Sequence, residues 1–235
     1  MKIYAVNIEG IEENIFNYYK YNNIISKYTL SKAKKFNNFK DTVRTVVGEL
    51  LIRYLLDKHY DLNGLTATIL RNHYGKPYLE DESINFHFNI SHSGGWVVCI
   101  IDNKPVGIDI EMTCEIDVKS IVSLFHPFEI NKINEALDTL DYFYNVWTVK
   151  ESVLKLTGKG LSIPLKSYYV DFLEDGPLIN CEGSFPYDSN LHVKMYYFTE
   201  LYKLSICSLN KNFPSSVLKI NVQDILNYFK GEKEG

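Results

Sequence analysis

Two helix-like stretches, each leading into a set of strand-like runs, leave this 235-residue chain few architectures. FKDTVRTVVGELLIRYLLDKHY carries Val43, Val46, Val47, Leu50, Leu51, Tyr54 and Leu55 at helical spacing, and DYFYNVWTVKESVLKLTGKG carries Tyr142, Val146, Val149, Val153 and Leu156. Each is a one-sided apolar stripe that a helix buries against another layer. After a short opening strand, KIYAVNI, and the first of these helices, YGKPYL (residues 74–79) reads as a turn, and FHFNISHSGG alternates Phe86, Phe88 and Ile90 against His87, Asn89 and Ser91. The runs WVVCII and VGIDIE read as buried strands joined by a hairpin at the DNKP turn. Residues 117–157 hold two helical stretches, strands resume at YYVDF, LHVKMYYF and KLSICSL, and a short helix spans Gln223 to Phe229. This order predicts an α+β chain of two similar halves, divided near DNKP into 1–104 and 105–235. The absence of a low-complexity linker implies that they pack tightly.

A content of 46% apolar and 14% aromatic residues supports a globular core, and a formal charge of -4 gives no general case for nucleic acid as partner. An anionic ligand must therefore be met by local cations. Cys99, Cys114, Cys181 and Cys207 are scattered without zinc spacing and read as reduced, mostly core residues of a cytoplasmic protein. The opening MKIYAVNIEG lacks an apolar export segment and no run approaches a membrane span, so neither export nor membrane insertion is expected.

In VGIDIE the period of two sends Asp109 and Glu111 out on one side, and such a pair repels itself unless a cation relieves it. On the second long helix Glu151 lies almost opposite the apolar stripe, with Trp147 one turn before and Lys155 one turn after. A Glu–Lys pair at this spacing is usually a surface ornament. The neighbouring tryptophan argues that this second face is covered. If Glu151 faces Asp109 and Glu111, three carboxylates without His or Cys favour Mg²⁺ over zinc and, beside Lys155, suit a phosphate-ester or pyrophosphate substrate. Lys40, Arg44 and Thr45, close behind Lys32, Lys34 and Lys35, form either a solvated helix entrance or a phosphate grip. Ser91 and His92 are adjacent, so their side chains diverge. No GxSxG elbow is present, and the segment suits anion binding better than a hydrolase triad. Gly158 is the expected helix C-cap.

YGKPYL, FNISHSGGWVV, VGIDIE, FHPFE and WTVKESVLKLTGKGLSIPL, in this order and spacing, resemble the Sfp-type 4'-phosphopantetheinyl transferases over nearly the whole chain. The resemblance implies a pseudo-twofold monomer of α/β halves, antiparallel sheets with packed helices, and coenzyme A bound between the halves. Half-length relatives build the same site between subunits of a trimer, so the double length argues for a site within one chain. The implied reaction moves the phosphopantetheine arm of coenzyme A to a serine of an apo acyl or peptidyl carrier protein of nonribosomal peptide, polyketide or fatty acid biosynthesis. It releases adenosine 3',5'-bisphosphate.

By the same resemblance Asp109, Glu111 and Glu151 match the Mg²⁺ site, Glu151 is the best candidate to take the serine proton, directly or through a water, and Glu129 is a weaker candidate for an ancillary role. Lys155 matches the pyrophosphate-binding lysine, Tyr74, Gly75, Lys76 and Pro77 the adenine turn, and Arg44, Thr45, Ser91 and His92 the phosphate positions. Thr29 stands where a lysine is expected, which leaves Lys32 as the assignment from the basic cluster. Lys119, Ile121, Leu124 and Phe125 are expected to dock an acidic carrier helix. The competing readings are a Mg²⁺-dependent hydrolase of coenzyme A and a non-catalytic coenzyme A-binding module.

Overall fold

Alternation of side chains decides which way each strand faces, and two long helices decide which faces are covered. The computed structural model describes residues 1–14, 16–60, 62–81, 83–181 and 191–230. In chain order its elements are β1 (Lys2–Asn7), α1 (Lys27–Ala33), α2 (Phe39–Tyr60), β2 (Ile69–Arg71), β3 (Pro77–Leu79), β4 (His87–Ser93), β5 (Trp96–Asp102) and β6 (Val106–Met112). There follow α3 (Val118–Val122), α4 (Pro127–Glu135), α5 (Thr139–Thr157), β7 (Tyr168–Leu173), β8 (Gly176–Cys181), β9 (His192–Thr199), β10 (Tyr202–Ser208), β11 (Leu218–Ile220) and α6 (Val222–Lys230).

The first sheet runs β11-β1-β5-β4 and the second β6-β10-β9, with β2–β3 and β7–β8 as separate hairpins. Apart from α3, β11 and α6, the second half repeats the first: β6 stands for β1, α4 and α5 for α1 and α2, β7–β8 for β2–β3, and β9–β10 for β4–β5. Strand pairing among the described residues is antiparallel except for β1 with β11.

Strands β1 and β5 are apolar on both faces because the first sheet is covered on both sides. Tyr4, Val6, Val97, Cys99 and Ile101 point out to α2, whose Val43, Val46, Val47, Leu50, Leu51 and Leu55 are buried against them. Ile3, Ala5, Val98 and Ile100 point inward and meet Val106, Ile108, Ile110, Leu204 and Ile206 of the second sheet. Val146, Val149, Val153 and Leu156 of α5 sit in a third cluster with Tyr168, Val170 and Cys207. Each such side chain contributes about 1.5–3 kcal/mol by leaving water. Asp138 caps α5 by accepting from Asp141 N–H at 2.9 Å, and Gly158 ends it at φ 68°, in the left-handed region a C-cap glycine favours.

Several local expectations give way to the tertiary arrangement. β5 and β6 are not a hairpin: β5 pairs with β1 and β4, while β6 crosses the turn into the other sheet and pairs with β10. Residues 117–157 form three helices, because Pro127 opens α4 at its first turn and Asp138 starts α5 afresh. Pro77–Leu79, expected within a turn, is strand. The tail from Leu218 leaves the second half: β11 extends the first sheet, and Val222, Ile225 and Leu226 join the core under α2. Of the four cysteines, Cys99 and Cys207 lie in the core, and Cys114 and Cys181 are exposed. No helix among the described residues is long and apolar enough to cross a membrane.

Candidate active site

One edge of β6 is paired with β10, which leaves the amides of the other edge facing β4 inside the protein. Buried amides without acceptors are costly. Side chains of β4 supply the acceptors: Asn89 Oδ1 takes Ile108 N–H at 2.9 Å, Ser91 Oγ takes Ile110 N–H at 3.3 Å, and Ser93 Oγ takes Met112 N–H at 3.0 Å. Alternate residues of one strand thereby serve alternate amides of the other. The same hydroxyls donate to the carboxylates, Ser91 to Asp109 at 2.8 Å and Ser93 to Glu111 at 2.9 Å. Ser91, expected at the phosphates, is only 5% exposed and is spent on Asp109, Ile110 and Lys155. Asn89 and Ser93 were not singled out from the sequence; their alternation with Ser91 was the available signal.

Helix α5 lies on β6 at backbone distance because position 107 is glycine: a Cβ there would stand 2.0 Å from Ser152 O. Four helical residues advance about 6 Å, close to the roughly 6.7 Å between alternate residues of a strand. The row Trp147, Glu151, Lys155 therefore runs beside the row Glu111, Asp109. At one end Trp147 lies near enough to Glu111 to oppose the rise of its carboxyl pKa. At the other end Lys155 Nζ lies 2.5 Å from Asp109 Oδ1 and 2.7 Å from Ser91 Oγ. Lys155 is thus held by Asp109.

Asp109 is buried and its Oδ2 has no partner among the described residues. Burial raises its carboxyl above the usual range against the pull of Lys155. Burial, then the charge of Asp109, raises Glu111. Burial, then Asp109, pushes Glu151 up to about 7, with Lys155 opposing and Glu111 adding. Asp109, with its orphaned oxygen, thus raises both other carboxylates, and the three make a donor set that suits a hard divalent cation. Among the described residues no three His, Cys, Asp or Glu side chains already stand together as a metal-holding group.

Across the seam a cavity of ≈ 170 Å³ is lined by Thr29, Lys32, Arg44, Thr45, Glu49, Arg71, Pro77 and His92, with an apolar floor including Ile52 and Phe88. Arg44 reaches Gly94 O and Asp41 through its two terminal nitrogens, while its Nε and the Thr45 hydroxyl are buried without partners among the described residues. Glu49 does not neutralise the cavity, because Arg53 and Ser26 occupy its carboxylate. Arg71, stacked 3.9 Å above the Tyr28 ring, was not singled out from the sequence; a lone arginine before YGKP was its only mark. His92 opens to solvent at the rim, and its imidazole is held well below its usual pKa by desolvation, then by Lys155, Arg44 and Lys32. Cations with spare donors around a small cavity make an anion site.

Other expected residues are placed differently. Tyr74 is 53% exposed at the tip of the β2–β3 turn and Gly75 holds φ 90°. The Lys76 ammonium points into the protein, donating to Leu156 O at 3.0 Å and Val106 O at 3.2 Å, and burial lowers its pKa to about 8. Glu129 has no ancillary place at the carboxylates: it caps α4 through His126 N–H, accepts Val170 N–H at 2.9 Å, and pairs with Lys150 at 2.8 Å. Burial lowers Lys150 to about 8 and raises Glu129, their attraction opposing both shifts. Phe125 is 2% exposed and stacks on Trp147 and Phe143, so it supports α5 and offers no surface to a partner. Lys119 and Leu124 are exposed and Ile121 is half-buried.

A family model described as the 4'-phosphopantetheinyl transferase superfamily matches residues 105–207, and one described as 4'-phosphopantetheinyl transferase, N-terminal, matches residues 16–103. The chain is 33% identical to the 4'-phosphopantetheinyl transferase Sfp of Bacillus subtilis over 96% of its own length and all of that protein. It is 35% identical to the 4'-phosphopantetheinyl transferase gsp of Aneurinibacillus migulanus over 93% of its own length and 90% of the relative. With both halves matched and relatives aligned nearly end to end, the chain belongs to the 4'-phosphopantetheinyl transferase superfamily.

Proposed function

We infer that the chain is an enzyme, a 4'-phosphopantetheinyl transferase that moves the phosphopantetheine arm of coenzyme A to a serine hydroxyl of an apo carrier protein. The observation that carries this reading is the cationic cavity with spare donors lying across one seam from a buried carboxylate row. Arg44, Thr45, Lys32 and His92 hold the phosphates of the nucleotide end. Asp109, Glu111 and Glu151 would hold Mg²⁺, which when bound neutralises the pyrophosphate charge. Glu151 accepts the proton of the attacking serine, whose oxygen forms the new P–O bond as the bond to adenosine 3',5'-bisphosphate breaks. Lys155, released from Asp109, balances charge on the departing bisphosphate. One chain carries both walls of the site, so no second copy is needed. Lys119 and Leu124, exposed after β6, with Ile121 beside them, offer a mixed basic and apolar surface for a carrier.

The test is mass spectrometry of apo acyl or peptidyl carrier proteins after incubation with the enzyme, coenzyme A and Mg²⁺. The expected result is a carrier bearing one phosphopantetheine and an equal amount of adenosine 3',5'-bisphosphate. Glu151→Gln should lower turnover at least about a hundredfold. Coenzyme A cleaved without carrier would favour the hydrolase, and binding without turnover would favour a module that only holds coenzyme A.

A further inference from the structure

We propose that Asn72 and Lys76 are positioning residues that latch the turn between β2 and β3 to the last turn of α5, so that occupancy of the nucleotide end sets the place of Lys155. The turn is braced by its own hydrogen bonds. Asn72 N–H donates to Lys76 O at 3.0 Å, Gly75 N–H donates to Asn72 O at 2.9 Å, and Asn72 Oδ1 accepts from Tyr74 N–H at 3.0 Å and Lys76 N–H at 2.9 Å. Both side chains then cross from the first half to the second. Asn72 Nδ2 donates to Gly158 O at 2.8 Å, and Lys76 Nζ donates to Leu156 O at 3.0 Å and Val106 O at 3.2 Å.

The last carbonyls of a helix have no partner within it, and a cation beside them is favoured by the helix dipole. The latch fills that vacancy from the other half of the molecule. It grips the residue after Lys155 and the first residue of β6, three positions before Asp109, which holds the Lys155 ammonium. The fit is close: a Cβ on Gly158 would lie 2.9 Å from Lys76 Cδ and 3.1 Å from Asn72 Nδ2. Because the ammonium is spent inward, the turn meets a nucleotide through its exposed Tyr74 and its backbone. A push on that outer side is carried by two side chains into the helix end that bears Lys155.

The proposal rests on the transferase reading for its substrate, and the experiment separates the two. Asn72→Ala, Lys76→Met and Lys76→Arg are compared with the wild-type chain in kcat and KM for coenzyme A, in affinity for adenosine 3',5'-bisphosphate, and in hydrogen exchange at residues 156–158 with and without that nucleotide. Asn72→Ala and Lys76→Met should lose about ten- to a hundredfold in kcat, with nucleotide affinity much less affected. Lys76→Arg, which keeps donors there, should recover part of the loss. Nucleotide should slow exchange at the α5 end in the wild type and not in the first two variants. Unchanged kcat in both, or a loss confined to nucleotide affinity, or the same exchange response in all chains would overturn the latch. A wild type that binds nucleotide and modifies no carrier would sink the transferase reading, and the exchange comparison would still decide the latch.

Discussion

Gly107→Ala should separate the two walls of the site with a single methyl group. An ideal Cβ there would stand 2.0 Å from Ser152 O, 2.5 Å from Leu156 N and 3.1 Å from Leu156 Cα, all backbone atoms of α5. None of them can rotate aside. A carbon–oxygen contact relaxes at about 3.3 Å, so the helix must lift from β6 by about 1.3 Å, the difference between 3.3 and 2.0 Å. Added to the 2.5 Å Lys155–Asp109 contact, that displacement exceeds hydrogen-bond distance, and it carries Glu151 with it. Misplacement of about 1 Å costs about a hundredfold in rate. Overpacking costs about 1–3 kcal/mol, or about 2–12 °C in Tm at the 2–4 °C per kcal/mol of a chain this long. Carrier modification kinetics and calorimetry on the purified variant measure both. A variant with the wild-type kcat and Tm would show that the helix and strand do not approach as closely as described, and the alignment of the two rows would lose its basis.

Lys150→Met removes one partner of a pair whose side chains are both 0% exposed and leaves Glu129 buried with its charge uncompensated; the expected loss is about 3–5 kcal/mol in urea unfolding, with part regained in Glu129→Gln/Lys150→Met. His92 should titrate below the ordinary imidazole value in the free chain, since desolvation and the charges of Lys155, Arg44 and Lys32 disfavour its charged form. Its folded pKa being depressed, the unfolded chain binds the proton first as pH falls below about 6.5, so this group's contribution to stability declines through that range. Adenosine 3',5'-bisphosphate should raise the midpoint by favouring the imidazolium, and an NMR titration showing no rise would remove His92 from the anion site.

Periodicity carried the local geometry well. The alternation in VGIDIE puts Asp109 and Glu111 on one face of β6, and the turn-by-turn spacing of Trp147, Glu151 and Lys155 makes one row of α5. What periodicity lacks is the partner across space. WVVCII and VGIDIE read as a hairpin because a short turn joins two apolar runs, yet the second strand belongs to another sheet. A motif match likewise names a position without saying which way its side chain turns. Lys76 sits in the turn the resemblance points to, but its ammonium goes inward, and Phe125 and Glu129 sit beside the expected surface while serving the core. Asn89, Ser91 and Ser93 were the hardest to read. Their task is to replace a neighbouring strand's carbonyls, which exists only once β4 and β6 lie side by side.

The return of the chain to its first sheet changes what the two halves are. Strand β11 lies parallel to β1, Tyr4 opposite Leu218 and Val6 opposite Ile220, and α6 closes the core beneath α2 with Val222, Ile225 and Leu226. A backbone cut in the exposed turn at residues 103 and 104 would leave the first fragment without an edge strand and without part of its apolar floor, both carried away by the second. The two pieces of such a split protein would be folding partners and not autonomous modules. Reassembly would depend on strand donation by the very end of the second piece, and the transferase site would reappear only when that clasp closed.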